Sequence, residues 1–270
     1  METKSEQDEF YLLHTVPTVL RARGFRLYTR GGKRLLDLWQ NNGSAVLGHT
    51  PPNLLRELKN TASRGLYAPL PHFLEGRFIK ALLRLFPNRS FKLYAAAPAA
   101  LEPLLKSGEA ALWRPFLDPA SPFAATENAP PILVPVLPGI QGWRGNLPLG
   151  LCVLAISPDF QCGLPAADIL SPVLLAAAAR SIHDLLASPQ RVRPNFPRIA
   201  KALKNSPWQR QGIYLNLREK PDAGQWALLF SNFLDAGFLL PPVSYHPLIL
   251  PGELSDGEES KLAGILGKIQ

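Results

Sequence analysis

Cysteine occurs only twice in the 270 residues, as Cys152 and Cys162, too few for a disulfide framework and at no metal-ligand spacing. The fold therefore has to rest on a buried core, and 46% hydrophobic residues in a chain of this length supply one. Long uncharged apolar runs are missing too, so no segment reads as membrane-spanning. The opening METKSEQDEF is charged and acidic, which reads against a secretory signal and sets the expectation of a cytoplasmic protein with reduced thiols. His14, His49, His72, His183 and His246 form no pair at ligand spacing, and no metal is expected.

Charge is sparse, 19% of residues, but unbalanced, with a net +8 and an isoelectric point near 9.7. Two runs concentrate it: Arg21, Arg23, Arg26, Arg30, Lys33 and Arg34, then Arg191, Arg193, Arg198, Lys201 and Lys204. Neither run interleaves aromatics that could stack bases, and no helix-turn-helix or RNA-binding signature is present. The balance implies a solvated basic face, and nucleic acid is not an expected partner. The string PGIQGWRGN holds Gly139, Gly142 and Gly145 at three-residue spacing. It lacks the strand-to-helix context of a phosphate loop, so it reads as an ordinary loop with Trp143 and Arg144 as candidates for an exposed contact.

Proline is plentiful, 28 residues, and punctuates short elements along the chain. Residues 25–40 alternate apolar positions on both sides of Gly31-Gly32, a hairpin signal. The segment from Pro52 to Gly65 and residues 74–86 have helical periodicity. FKLYAA (91–96), PILVPVLPG (131–139) and LCVLAIS (151–157) read as buried strands of a mostly parallel sheet, with a helix opening after Pro98. An alanine-rich helix follows Ser171, then a strand at 212–219, a helix at 225–238 and a last helix beginning at Ser255 with acids in its first turn.

Both ends then match one pattern. In RLYTRGGKRLLDLWQNNGSAVLGHTPPNLLREL, Gly32, Lys33, Leu36, Asp37, Gly48, His49 and Pro52 fit a hairpin with G-K-x-x-L-D, a loop, then G-H and a helix. The chain here resembles the class III aminotransferases, pyridoxal-phosphate (PLP) enzymes. Its segment from Gly212 to Leu262 is similar to their C-terminal domain, nearest the glutamate-1-semialdehyde aminomutase branch. The resemblance implies an α/β protein with a reduced fold-type-I, PLP-transferase-like central domain and an α+β small domain built from both chain ends. The domain boundaries expected are 1–88, 89–189 and 190–270.

The middle departs from that pattern where the family keeps its chemistry. A lysine forms the link to the cofactor aldehyde, a strand-end aspartate keeps the pyridine nitrogen protonated, and a serine-glycine turn at a helix start holds the phosphate. At the phosphate turn this chain has Ala96, Ala97 and Pro98, and a proline removes one donor. Pro135 replaces a strand-end glutamate, and Pro158 stands at the pyridine aspartate in PDFQCG. That alignment leaves Asp159 and Gln161 as vestigial cofactor-binding positions, with Gly163 also retained. Asp168, Ile169 and Leu170 survive near the lysine loop, where Leu174 falls at the lysine; another alignment deletes that loop, and no lysine lies between Lys106 and Lys201 in either case. Read as residues alone, Asp159 is a turn-capping aspartate, Gln161 a hydrogen-bonding loop residue, and Cys162 a thiol with no base to activate it.

The expectation is an aminotransferase-like protein that is non-catalytic, with no catalytic residues and no cofactor, and with a structural, regulatory or ligand-binding role. The resemblance implies a homodimer, or a heteromer with a catalytic paralogue. One alternative is an active PLP-dependent aminotransferase or aminomutase whose lysine is Lys106, Lys201 or a partner's. Another is an anion or nucleic-acid binder using Arg191 to Lys204.

Overall fold

The computed structural model describes residues 11–65, 68–117, 129–139, 150–161, 163–188 and 195–268. By contacts the chain divides into two units, one made of residues 1–49 with 190–270 and the other of residues 50–189.

The first unit joins the two chain ends in one sheet. Strands β1 (Val19–Arg23), β2 (Arg26–Thr29) and β3 (Arg34–Asp37) form an antiparallel meander. The β1–β2 turn is two residues long, with Gly24 at φ +55°, the left-handed first position such tight hairpins require. The sequence reading found only the second hairpin, because VLRAR in β1 is exposed along most of its length and carries no alternation. Strand β10 (Phe238–Leu239) adds in parallel to β3.

A second sheet in this unit holds β8 (Trp208–Gln211), β9 (Tyr214–Leu217) and β11 (Leu248–Ile249). The helices are α5 (Pro197–Ala202), α6 (Ala223–Asp235) and α7 (Asp256–Leu266). The core mixes both chain ends: Phe25, Leu27, Leu35 and Leu38 pack with Trp208, Phe230, Phe233 and Leu262.

Both long helices of this unit start with reciprocal caps, Asp222 with Gln225 and Ser255 with Glu258. Glu258 also binds β2, accepting from Arg26 Nε at 2.9 Å and Nη2 at 2.7 Å. Its side chain is 13% exposed and that of Arg26 17%. The bond to Arg26 is the main reason that the Glu258 carboxyl falls to about 2. Because the folded value lies below the unfolded one, the stabilisation is complete above about pH 4.5 and is lost as pH falls toward 2. Acid titration should therefore destabilise wild type in that window, and Glu258→Gln should flatten the slope there.

The second unit contains β4 (Ser90–Tyr94), β5 (Ala110–Trp113), β6 (Ile132–Pro135) and β7 (Cys152–Ile156), in the order β4-β7-β6-β5. Three strands run one way and β7 runs against them, so β5–β6 is the one parallel pair of this sheet. The mostly parallel pairing expected from sequence is thus corrected. Apolar runs show that these strands are buried, but their direction is not written in them.

Helix α3 (Leu101–Ser107) returns from β4 to β5. Helices α1 (Pro52–Ala62) and α2 (Leu74–Leu85) both pack on α4 (Pro172–Leu186). By packing, then, residues 50–88 belong with the central unit, although the sequence reading grouped them with the N-terminal segment. Helix α4 is buried along nearly its whole circumference, which its alanine run permits by letting neighbouring backbones approach. Among the described residues, no helix is long and apolar enough to cross a membrane.

Candidate functional site

Open α/β sheets bind ligands beyond the carboxyl ends of their strands. Strands β4, β5 and β6 point the same way, so their carboxyl ends, Ala95–Pro98, Arg114–Phe116 and Val136–Gly139, share one edge.

Several donors at this edge are already committed. Ala95 N donates to Asp168 Oδ2 at 2.9 Å, and Asp168 N donates to Leu93 O at 2.8 Å. The segment carrying Asp168 is strapped along β4, where Lys92 Nζ reaches Leu164 O and Pro165 O at 2.9 and 3.0 Å and Tyr94 Oη reaches Pro165 O at 2.9 Å. A carboxylate of the chain itself thus occupies the first backbone donor of the turn after β4. In the first turn of α3, Leu101 N and Glu102 N are taken by Pro98 O and Ala99 O, and Pro98 and Pro103 carry no N–H. These groups are thereby withdrawn from any phosphate at the turn.

Apolar groups close the other two strand ends. Gly139, after β6, has φ +74°, and a Cβ on it would land on Leu54 Cδ2 of α1. After β5, Phe116 is fully buried with φ 62°, a backbone strain of about 1–3 kcal/mol for a bulky residue. Phe86 meets Trp113 edge-on at 4.8 Å.

Neither Lys92 nor Lys106 of this unit is placed to act beyond that edge. Lys92 is spent on two carbonyls. Lys106 pairs with Glu102 at 2.9 Å near the end of α3, which delivers it to the amino end of β5, the opposite end of the sheet. Lys201 belongs to the other unit.

Nor does the structure bring the vestigial positions to the phosphate-turn edge. Because β7 opposes β4 with Tyr94 facing Cys152 and Ser90 facing Ile156, the turn at Pro158 and Asp159 lies about 13 Å or more from Ala95 along the strands. Asp159 is an exposed turn residue, the turn being closed by Phe160 N on Ser157 O at 3.1 Å, and Gln161 is exposed beside it. The sequence alignment placed these residues and the turn after β4 around one cofactor, which opposed strands separate. Cys152 is buried, and that burial pushes its thiol up to about 12. Cys162, Gly142, Trp143, Arg144, Gly145, Arg191 and Arg193 lie outside the described residues. Among those described, no three His, Cys, Asp or Glu side chains gather as a metal site.

The first unit contains a polar constellation to which sequence reasoning gave no role. Asp37 is 2% exposed; its Oδ1 accepts from Trp39 N and Gln40 N at 2.9 and 2.8 Å, and its Oδ2 from His49 Nε2 at 2.8 Å. These bonds fix a run of three left-handed residues, Gln40 (φ 49°), Asn41 (φ 44°) and Asn42 (φ 56°), of which Gln40 carries a strain of about 1–2 kcal/mol. Gln40 is fully buried; its Nε2 donates to Ile249 O at 2.9 Å, while its Oε1 and the Trp39 Nε1 have no partner. Buried orphans beside a strained backbone mark a built feature. The signal in sequence was Asn41-Asn42-Gly43 after a buried aspartate, since Asn and Gly tolerate left-handed backbone.

No family model matches the chain. It is 26% identical to an uncharacterized protein of Treponema pallidum over 86% of this chain and 88% of the other. It is 27% identical to one of Borreliella burgdorferi over 92% and 89%. A shorter match, 33% identical over 70 residues, covers 26% of this chain and 16% of a Sorangium cellulosum glutamate-1-semialdehyde 2,1-aminomutase. Among solved structures, ornithine delta-aminotransferase of Plasmodium falciparum aligns over 98% of both chains with a TM-score of 0.68 at 12% identity. A glutamate-1-semialdehyde aminomutase of Pseudomonas aeruginosa aligns over 93% of this chain and 86% of its own with a TM-score of 0.62 at 14% identity. The chain has the mixed α/β fold of the PLP-dependent aminotransferases.

Proposed function

We propose that the chain is an aminotransferase-fold protein that carries no Schiff-base-linked PLP and works as a structural or regulatory subunit, as a homodimer or beside a catalytic paralogue. One observation supports this most directly: the Asp168 carboxylate sits on Ala95 N, at the sheet edge where a phosphate would need that donor. The residues present do not fit the cofactor. Phosphate and Asp168 would compete for one N–H and repel each other. The pyridine nitrogen would find Arg114, Pro115 and Phe116 after β5 and Val136, Leu137 and Pro138 after β6, none of which is a carboxylate that could keep it protonated. The lysine-free run from Ser107 to Ala200 removes the nucleophile and the resident proton carrier together. No reaction step is therefore assigned to PLP here.

The test is titration of the full chain with PLP, followed by borohydride reduction and peptide mass spectrometry. The expected result is no imine absorbance band and no pyridoxyl-lysine at any one site. A single reduced adduct, abolished by replacing that lysine and accompanied by transamination of an amino acid, would overturn the reading. Lys106 or Lys201 as the adduct would instead support an active enzyme with a relocated lysine.

A further inference from the structure

A ribbon of charge runs between the three helices of the central unit. On α2, Arg77, Lys80 and Arg84 recur at helical spacing, so all three share one flank. Helix α4 exposes few groups, and Arg180, His183 and Asp184 make its polar stripe. Helix α1 contributes Asn53, Arg56 and Glu57.

The contacts knit these groups together. Asn53 Nδ2 donates to Asp184 Oδ1 at 3.0 Å, Arg180 holds the same oxygen through Nε at 2.9 Å, and Arg56 Nη2 donates to Asn53 Oδ1 at 3.0 Å. Arg77 Nη1 reaches Glu57 Oε1 at 3.4 Å. Arg84 Nη1 donates to His183 Nδ1 at 3.0 Å.

The account of charge does not close. Two carboxylates, Glu57 and Asp184, are each held by an arginine, which leaves Arg84 bound to a neutral imidazole. A guanidinium only donates, so Nδ1 of His183 must be the acceptor and its proton resides on Nε2. Protonation would turn that acceptor into a cation facing Arg84 and Arg77 from α2 and Arg180 from its own helix, with Asp184 on α4 and Glu57 on α1 already engaged. Burial first, then Arg84, Arg180 and Arg77, hold His183 below its ordinary range, against a smaller opposing pull from Asp184. An added anion would relieve that repulsion, so anion binding and proton uptake by His183 favour each other.

We propose that this α1–α4–α2 ribbon is a docking face for a carboxylate-rich protein segment, and that its grip tightens on acidification through His183. Charge complementarity selects the occupant. Individual carboxylates can pair with single guanidiniums, whereas a phosphodiester chain laid along the ribbon would cross Glu57 and Asp184.

The probe is a fluorescent ten-residue polyaspartate peptide titrated with the full-length protein at low salt, at about pH 7.5 and about pH 6. Binding should tighten about threefold or more at the lower pH and weaken about tenfold in Arg77→Ser/Arg84→Ser. His183→Gln, which keeps an acceptor for Arg84, should retain the affinity at the higher pH and lose the pH response. Arg21→Ser/Arg23→Ser, on β1 of the other unit, should leave binding unchanged, and circular dichroism checks that every variant is folded. No binding at low salt, equal weakening by the β1 pair, or a pH response that survives His183→Gln would each overturn the proposal. So would displacement of the peptide from the same arginines by an oligonucleotide of equal charge at lower concentration, which would make the face a nucleic-acid site.

Discussion

Gly139→Ala should destabilise the central unit by about 2–4 kcal/mol, read as a lowered urea midpoint with an unchanged denaturant slope. Two costs add at one position. The backbone at φ +74° is left-handed, where an L side chain crowds the next carbonyl, and the new Cβ would land on Leu54 Cδ2. Leu54 cannot step aside cheaply, since it is buried on α1 and a shift there would open a void in a packed interior. The two costs can be separated by a double-mutant cycle. Leu54→Ala alone should cost about 2–5 kcal/mol through the cavity it leaves, but in its presence Gly139→Ala should lose its steric part. The pair should therefore fall short of additivity by about 1–2 kcal/mol. Strict additivity would mean that α1 does not cover the end of β6 as described.

Arg89→Ala is the second large effect, expected at about 3 kcal/mol, because one guanidinium satisfies three carbonyls from different parts of the chain. Its Nη1 donates to Pro131 O at 2.9 Å and Ala155 O at 3.0 Å, and its Nη2 to Pro130 O at 3.2 Å. These contacts tie the entry to β4 to the entry to β6 and the end of β7. Burial lowers the Arg89 pKa, the direction expected when desolvation outweighs the attraction of carbonyl dipoles. Arg89→Lys keeps the charge but presents a point donor on a different stem, so it should recover only part of the loss. Chemical denaturation of the three proteins in parallel reads this order directly. Full recovery by lysine would show that the charge counts and the fork geometry does not.

Both effects sit where sequence reading was weakest. Helices α1, α2, α6 and α7 were legible because their apolar spacing repeats over several turns, and α7 was further marked by Ser255 with acids behind it. The β2–β3 hairpin was legible through Gly31-Gly32. Strand β5 was missed, since AALW is four residues long and follows a helix ending at Gly108. Strand β8 was missed because WQRQ has one apolar residue among four, Trp208, which is also its one buried residue. The candidate site suffered more, for a single reason. Pairing direction decides which strand ends share an edge, and reversal of β7 alone moved Asp159 and Gln161 away from the turn after β4. The tie between Asp168 and Ala95 joins residues 73 positions apart, and local pattern carries no information about such a pair. Asp37 and His49 were noticed as a motif, but the left-handed run between them depends on a bond to Ile249 from the far end of the chain.

The parallel pairing of β3 with β10 sets Leu36 opposite Phe238, closing a loop of roughly 200 residues. Synthesis proceeds from the amino end, so the meander emerges with an unfilled edge and has no partner strand until about 200 further residues have been made. Residues 50–189 are contiguous and can collapse on their own contacts in the meantime. The order of assembly is thus written into the topology: the inserted unit first, and the unit that frames it last. Non-local closure of this kind is slow, and during the wait β2 and β3 expose apolar faces that Phe238, Leu239 and the C-terminal helices later cover. A nascent chain stalled before β10 would be the species most in need of a chaperone.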